Sequence, residues 1–379
     1  MKKKYFIFSI VTLVLFAIVI TCFNYFKNTK NYVEDNTSKP TKITKGISMN
    51  LEQTAGAGDY KTVTQSSWPT EGYKFNTELS RCENGSTLSW DDSKKAVVMN
   101  GNVSDKCYVY FDKVLTLANY VISQYTGIQG ENSLYYHDSN LANGVGDNSY
   151  RYAGASDSVN NYICLGSDAA TCPDDNLFRI IGVFGAQTKV IRAKSVGNQK
   201  WDTSSSNKWS SSSLNTYLNG TYLTSLGTLK NKIATTTWKV GGGTPANISE
   251  VVPATAYKNE VGSSASRTIV NKKIGLMYVT DYYYSASPSA WTLMGYNSDA
   301  TKDYRVAKTI NWLYLGSYEW TISCHSGTSY SAFGVGNLGY VSGYFDVSTS
   351  SAVRPTFNLE SSVKYVSGSG SMSDPVRVN

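Results

Sequence analysis

The sequence places a thiol directly beside an imidazole at one position, Cys324-His325. Such a pair could support nucleophilic catalysis, in which the histidine takes the proton of the thiol. Neighbouring residues on a strand point to opposite faces, however, so His325 is expected to be badly placed to activate Cys324. An enzyme that uses Cys324 is therefore kept as an alternative and not as the leading hypothesis.

The run Thr321-Ile322-Ser323-Cys324 resembles the cysteine motif of sortases, which act outside the membrane. Sortases also have a distant upstream histidine and an arginine shortly after the cysteine. Here the only upstream histidine is His137, which lies outside the domain predicted to contain Cys324. The sequence therefore predicts no catalytic residue and no enzyme activity.

Acidic residues that could offer oxygen ligands to calcium occur in several turn-like segments. Their spacing matches no calcium-binding loop, and solvated turn residues are the simpler interpretation. The sequence predicts no metal site and no cofactor, and calcium has no motif to support it. The acidic residues considered are Asp168, Asp174, Asp175, Asp299 and Asp303.

Aromatic residues alternate with Ser, Gly and Asn between Ser326 and Ser351. This mixture is typical of recognition surfaces, where rigid rings give contact area and small polar residues give hydrogen bonds. Tyrosines also fill half-buried positions of sheets, which is the alternative interpretation. The candidate binding residues are Tyr330, Phe333, Tyr340 and Tyr344.

Five cysteines lie outside the first 26 residues, so disulfide pairing leaves at least one of them unpaired. Proximity pairs Cys82 with Cys107 and Cys164 with Cys172, which leaves Cys324. Zinc is the rival explanation, but neither spacing fits a zinc site and the chain has only two histidines. We therefore predict two structural disulfides.

An apolar run without formal charge extends from Tyr5 to Phe26. At about 1.5 Å of rise per helical residue, it reaches roughly the 30 Å of a bilayer core. It has no small-x-small cleavage site, so we predict an uncleaved signal anchor over 5–26 with a cytoplasmic tail over 1–4. The lysines on both sides do not decide the orientation, but the positive charge of so short a tail disfavours its export.

The positive charge of the chain is concentrated near the anchor. Residues 1–45 hold eight lysines and two acidic residues, whereas the rest has 27 basic and 26 acidic residues. Topology or anionic lipid headgroups explain this distribution, and it excludes nucleic acid as the expected partner. The abundance of Tyr, Gly, Ser, Thr and Asn is typical of an exported, strand-rich protein. We predict a single-pass protein of the cell membrane with an extracellular carboxy-terminal body.

Turn signals and apolar periodicity divide that body into segments. We predict a stalk over 27–50, a small β module over 51–113, a connecting helix and loop over 114–150, and a main domain over 151–379. In the main domain, Leu177–Phe184 and Thr188–Ala193 are predicted as strands, as is Ile274–Asp281. A helix is predicted over 209–218 and short strands towards the end, so the fold class is α+β.

Several segments together resemble a domain of unknown function in surface proteins of Gram-positive gut bacteria. The resemblance covers roughly residues 155–379, and residues 73–111 resemble a disulfide-bearing β module that often precedes this domain. The residues that carry it are Trp209, Leu214, Leu218-Asn219, the run 311–323, Gly339-Tyr340-Val341, Val353-Arg354-Pro355, Phe357-Asn358-Leu359 and the run 362–375.

The resemblance implies a C-type-lectin-like fold, related to formylglycine-generating enzymes. Those enzymes use two neighbouring cysteines, whereas the residue near Cys324 is Ser329, so their activity is not implied. The leading hypothesis is a membrane-anchored extracellular protein for ligand binding or display, whose ligand is a glycan or a protein. A further alternative is a purely structural surface protein, in which Trp320, Arg354 and Pro355 only stabilise the core.

Overall fold

A computed structural model describes residues 46–64, 67–69, 72–102, 104–241, 243–262, 268–293 and 308–379. The chain divides into two compact units, one up to Leu115 and one from Thr116. The expected tail, the anchor over 5–26 and most of the stalk lie outside the described residues. No helix in the described part of the chain is long and apolar enough to cross a membrane.

The first unit is a small β module. Its parallel pair β1 and β7 lies at the centre of a sheet with the order β2-β1-β7-β3, β4 also pairs with β7, and β5 and β6 form a hairpin. The core contains Met49, Leu51, Phe75, Val109 and Phe111. The strands are β1 (Ile47–Glu52), β2 (Tyr60–Val63), β3 (Tyr73–Phe75), β4 (Arg81–Cys82), β5 (Thr87–Asp91), β6 (Ala96–Asn100) and β7 (Cys107–Lys113).

The module begins earlier than the sequence predicted, because β1 starts at Ile47 within the expected stalk. Ile47 pairs with Cys107, and the alternation along the strand sends Met49 and Leu51 into the core. The polar residues around this strand hid its pattern in the sequence. The boundary at residue 50 was therefore wrong.

The disulfide predicted between Cys82 and Cys107 is confirmed. The two cysteines are directly opposite each other on β4 and β7. Because β4 has two residues, this bond fixes a strand that backbone pairing alone would hold weakly.

The second unit is sheet-rich with short helices. Its helices are α1 (Leu117–Ser123), α2 (Ser213–Tyr217), α3 (Leu223–Ser225), α4 (Pro245–Ile248), α5 (Pro253–Glu260) and α6 (Val279–Tyr284), and a π-helical turn, Leu218–Tyr222, joins α2 to α3. Its 3-10 turns are Glu131–Ser133, Asp174–Asn176, Trp209–Ser211, Gly227–Lys232, Pro288–Ala290 and Lys308–Ile310. Its strands are β8 (Leu134–Tyr136), β9 (Tyr150–Tyr152), β10 (Tyr162–Cys164), β11 (Leu177–Phe184), β12 (Gln187–Arg192), β13 (Asn198–Lys200), β14 (Thr236–Val240), β15 (Thr268–Lys272), β16 (Glu319–Cys324), β17 (Ser331–Val335), β18 (Val341–Asp346), β19 (Ser350–Ala352), β20 (Thr356–Leu359), β21 (Tyr365–Ser367) and β22 (Val376–Val378).

Among the described residues, these strands form two larger sheets and one two-stranded ribbon. The eight-stranded sheet has the order β20-β12-β11-β10-β22-β21, with β9 on β11 and β8 on β9. The five-stranded sheet has the order β13-β19-β16-β17-β18, and β14 pairs with β15. One continuous core takes residues from both sheets, including Phe178 and Phe357 from the first and Trp320 and Phe333 from the second.

The segment predicted as a connection over 114–150 belongs to the second unit instead. Leu117, Ala118 and Val121 of α1 are buried in its core. The Thr116 hydroxyl caps α1 by accepting from the backbone N–H of Asn119 at 3.1 Å. The boundary near residue 151 was therefore wrong, because the apolar face of α1 completes the core of the main domain.

The motif residues near the end of the chain are structural. Arg354 is buried and donates two hydrogen bonds to Glu319, at 2.6 and 2.7 Å, and a third to the carbonyl of Leu313 at 2.6 Å. The buried indole of Trp320 donates to the carbonyl of Gln199 at 2.9 Å. These residues hold β16 against the segments around it.

Candidate functional site

A cleft of about 540 Å³ opens in the second unit at the end of β16. Three parts of the chain line it: residues 207–210 around the turn before α2, the facing ends of β14 and β15, and residues 324–329. The Cys324-His325 pair singled out by the sequence therefore lies at this cleft.

The loop that forms one wall of the cleft is held firmly by Asn207. Its side-chain amide lies within hydrogen-bonding distance of the carbonyls of His325, Thr328 and Ser331, at 2.8, 2.7 and 2.9 Å. The backbone N–H of Ser326 also donates to the carbonyl of Gly243 at 2.7 Å. The wall is thus preorganised, which lowers the entropic cost of binding a ligand there.

His325 presents a hydrogen-bond donor. Its Nδ1 accepts from the backbone N–H of Gly327 at 2.8 Å, so in the neutral ring the proton is on Nε2. Burial lowers the pKa of His325, which keeps the ring neutral near pH 7. Nε2 is buried and has no hydrogen-bond partner among the described residues.

Trp209 presents a second donor of the same kind. Its indole Nε1 is buried without a partner in the described part of the chain, as is the hydroxyl of Thr328. Other buried indoles are satisfied: Trp201, for example, donates to the carbonyl of Thr321 at 3.1 Å. A buried polar group without a partner costs about 1–3 kcal/mol, and three such atoms belong to residues that line this one cleft.

Cys324 is half-buried and takes part in neither disulfide. A Cβ added to Gly241 would lie 2.8 Å from its sulfur, and the φ of Gly241 is +77°, so glycine is required beside the thiol. The neutral ring of His325 has no free acceptor for the thiol proton, because Gly327 occupies Nδ1 and Nε2 carries a hydrogen.

The four predicted binding residues are not on one surface. Phe333 is fully buried in the core and stacks on His325, so its assignment to a binding surface was wrong. Tyr340 is half-buried and packs against Phe345. Tyr330 and Tyr344 are exposed, at 54% and 66%, and these two stay as candidates.

A bulge in β18 explains where Tyr344 lies. Ala332 pairs with Phe345 and Gly334 with Ser342, so Gly343 and Tyr344 together oppose Phe333. The ring of Tyr344 lies 5.2 Å from that of His325, between centroids. Tyr344 therefore stands exposed beside a residue that lines the cleft.

The acidic residues considered for calcium are not gathered into a site. Asp174 and Asp175, in a 3-10 turn, pair with Lys194 and Arg192. Asp299 and Asp303 lie outside the described residues. In the described ranges, no group of three or more His, Cys, Asp or Glu residues could hold a metal ion.

The sequence did not identify Asn207 or the donor of Trp209 as site residues. Trp209 was noted as part of a motif, and that was the available signal. Asn207 gave no signal in the sequence, because a turn asparagine is common and its three carbonyl partners lie more than a hundred residues away.

The disulfide predicted between Cys164 and Cys172 is confirmed.

Residues 186–361 match a family model described as a domain of unknown function (DUF6273). This range includes every residue that lines the cleft. The match confirms that this part of the chain contains a domain of unknown function. No curated protein matches the chain, and neither does any solved structure.

Proposed function

We propose that this protein is a membrane-anchored, extracellular binding protein, and that its cleft recognises a glycan. The observation that carries the proposal is the set of buried, unpartnered polar atoms on Trp209, His325 and Thr328 around the cleft. Ligand hydroxyls would accept from the two N–H donors and would satisfy the threonine.

The other properties of the cleft support a neutral polar ligand. Its charged lining residue is Lys208, the remainder being neutral, and residues 326–329 are Ser-Gly-Thr-Ser. The exposed ring of Tyr344 lies beside His325 of the cleft and offers a rigid apolar surface. Rigid aromatic area beside small hydrogen-bonding groups is what adaptable recognition surfaces use.

The proposal includes a C-type-lectin-like fold for the second unit and an anchor over 5–26. The fold rests on the resemblance of the motif residues, and the anchor on the uncharged run of the sequence. The two disulfides favour an oxidising compartment, which agrees with an exported body.

The location has a direct test. Protease added to intact cells is expected to remove epitopes within residues 46–379 and to spare a cytoplasmic control protein. Protection of those epitopes until the cells are lysed would contradict the outward orientation.

Binding at the cleft is tested by a pair of exposed tyrosines. We expect Tyr344→Ala to weaken glycan binding about five- to tenfold, because truncating an exposed aromatic contact costs roughly 1 kcal/mol or more. Tyr318→Ala is the matched control, since Tyr318 is exposed at 47% and its ring packs on Phe345, whereas that of Tyr344 packs on His325 of the cleft. The measurement is binding of the full chain in detergent to a glycan array, followed by titration of the retained glycan.

Equal losses for both tyrosine variants would contradict the proposed site. A complete absence of glycan and protein ligands would instead favour the structural surface protein, in which Trp320 and Arg354 serve the core alone.

A further inference from the structure

A second pocket of the same unit holds buried charges that the glycan cleft does not use. It has a volume of about 200 Å³ and shares no lining residue with the cleft. Lys189 of β12, Arg151 of β9 and Asp281 of α6 all line it, and each is at most 5% exposed. Charges this deeply buried beside a pocket are candidates for a binding site.

Each buried cation has a carboxylate partner. The ammonium of Lys189 forms an ion pair with Asp281, and Arg151 pairs with Asp147 at 2.7 Å. Arg151 also donates to the hydroxyl of Ser149 at 2.8 Å. Burial lowers the pKa of Lys189, while Asp281 opposes this shift. The ion pairs therefore keep the cations charged at a desolvation cost.

The pocket has more hydrogen-bond donors than acceptors. Among the described residues, Lys189 uses one of its three N–H groups and Arg151 two of its five. Asp281 also accepts from the backbone N–H of Tyr278, at 2.8 Å. Buried cations with donors to spare favour an acceptor-rich, negatively charged group.

The walls around these donors are aromatic. The nitrogen of Lys189 lies 4.6 Å from the ring centre of Tyr278 and 5.6 Å from that of Trp238. The guanidinium of Arg151 lies 5.3 Å from the ring of Tyr257. These rings exclude water, which strengthens charge interactions, and they give an organic ligand apolar contact.

One acceptor in the lining has no partner. Asn358 donates from its amide nitrogen to the hydroxyl of Thr236 at 3.2 Å, but its Oδ1 is buried and unpartnered in the described ranges. A ligand that satisfies this oxygen must carry a donor as well as its negative charge. A hydroxyl group next to a carboxylate has both properties.

We propose that this pocket binds a small hydroxylated carboxylate, such as the acid-bearing ring of an acidic sugar. The carboxylate accepts from Lys189 and Arg151, and a hydroxyl donates to Asn358. The site is independent of the glycan cleft, so either one can fail without the other.

Calorimetric titration of the full chain in detergent tests the pocket with three probes. Glucuronate is expected to bind, with neutral glucose and hydroxyl-free acetate each at least about tenfold weaker. The double variant Lys189→Met/Asp281→Asn is expected to bind glucuronate about thirtyfold more weakly, because a buried charged contact is lost. Removing both charges together avoids leaving one carboxylate unpaired. Lys272→Met, an exposed lysine of β15, is the matched control with wild-type affinity.

A second variant keeps the test decisive if the double variant does not fold. Asn358→Leu keeps the size of the side chain at a half-buried position and removes the oxygen that accepts from the ligand hydroxyl. It is expected to lose about fivefold in glucuronate affinity, the worth of one hydrogen bond, and to remain folded. The proposal is overturned if glucuronate does not bind, if folded pocket variants keep the wild-type affinity, or if glucose or acetate binds as tightly with an affinity that the pocket variants also lose.

Discussion

We expect the substitution Arg354→Ala to lower the free energy of unfolding of the second unit by about 3–5 kcal/mol. Arg354 and Glu319 are both buried and joined by two hydrogen bonds. Burial raises the pKa of Glu319 and Arg354 opposes this rise, so removing the arginine leaves a carboxylate without its compensating charge. The measurement is urea unfolding at pH 7, followed by tryptophan fluorescence.

The double variant Arg354→Met/Glu319→Met separates the charge from the packing. Replacing a buried ion pair by apolar residues of similar size is often close to neutral, so the double variant should recover most of the lost stability. A double variant as unstable as Arg354→Ala would show that the ion pair is not the cause.

We expect the substitution of Cys82 and Cys107 by alanine to unfold the first unit. This module has a small core, and its disulfide closes a loop of 25 residues. Loop-closure entropy gives such a bond about 3.5 kcal/mol, and the loss of a disulfide from a small exported domain costs about 2–5 kcal/mol. Limited proteolysis of the full chain should then cut between residues 46 and 115.

Alanine at Cys164 and Cys172 is the matched control. That bond closes 8 residues within the larger unit, so its loss should be smaller and should leave residues 46–115 resistant. Protease resistance of the Cys82→Ala/Cys107→Ala variant would mean that β-sheet pairing alone holds the first unit.

Local patterns in the sequence predicted part of the fold correctly. The bounds of β11 are those predicted from its apolar run, and those of β12 differ from the prediction by one residue at each end. Both strands were predictable because they are buried and joined by a tight turn at Gly185 and Ala186. Both disulfides followed from short separations. Each of these features depends on contacts between residues that are near in the chain.

Features that depend on distant contacts were not predictable in this way. Ile274–Asp281 was predicted as a strand, but Val279–Tyr284 forms a helix whose first N–H groups donate to the buried carboxylate of Glu260, at 2.9 Å each. Lys189 gave no signal of burial, since a lysine within a strand is ordinarily exposed. Its partner Asp281 is 92 residues away.

The central claim, that the cleft binds a ligand through its buried donors, is tested most directly by nuclear magnetic resonance of the tryptophan indoles. The full chain is labelled with ¹⁵N-tryptophan, the Trp209 signal is assigned with Trp209→Phe, and a glycan retained on the array is added. We expect the Trp209 indole N–H signal to shift, while those of Trp291 and Trp320, which donate to backbone carbonyls, stay in place. An unmoved Trp209 signal at saturating glycan would contradict the claim.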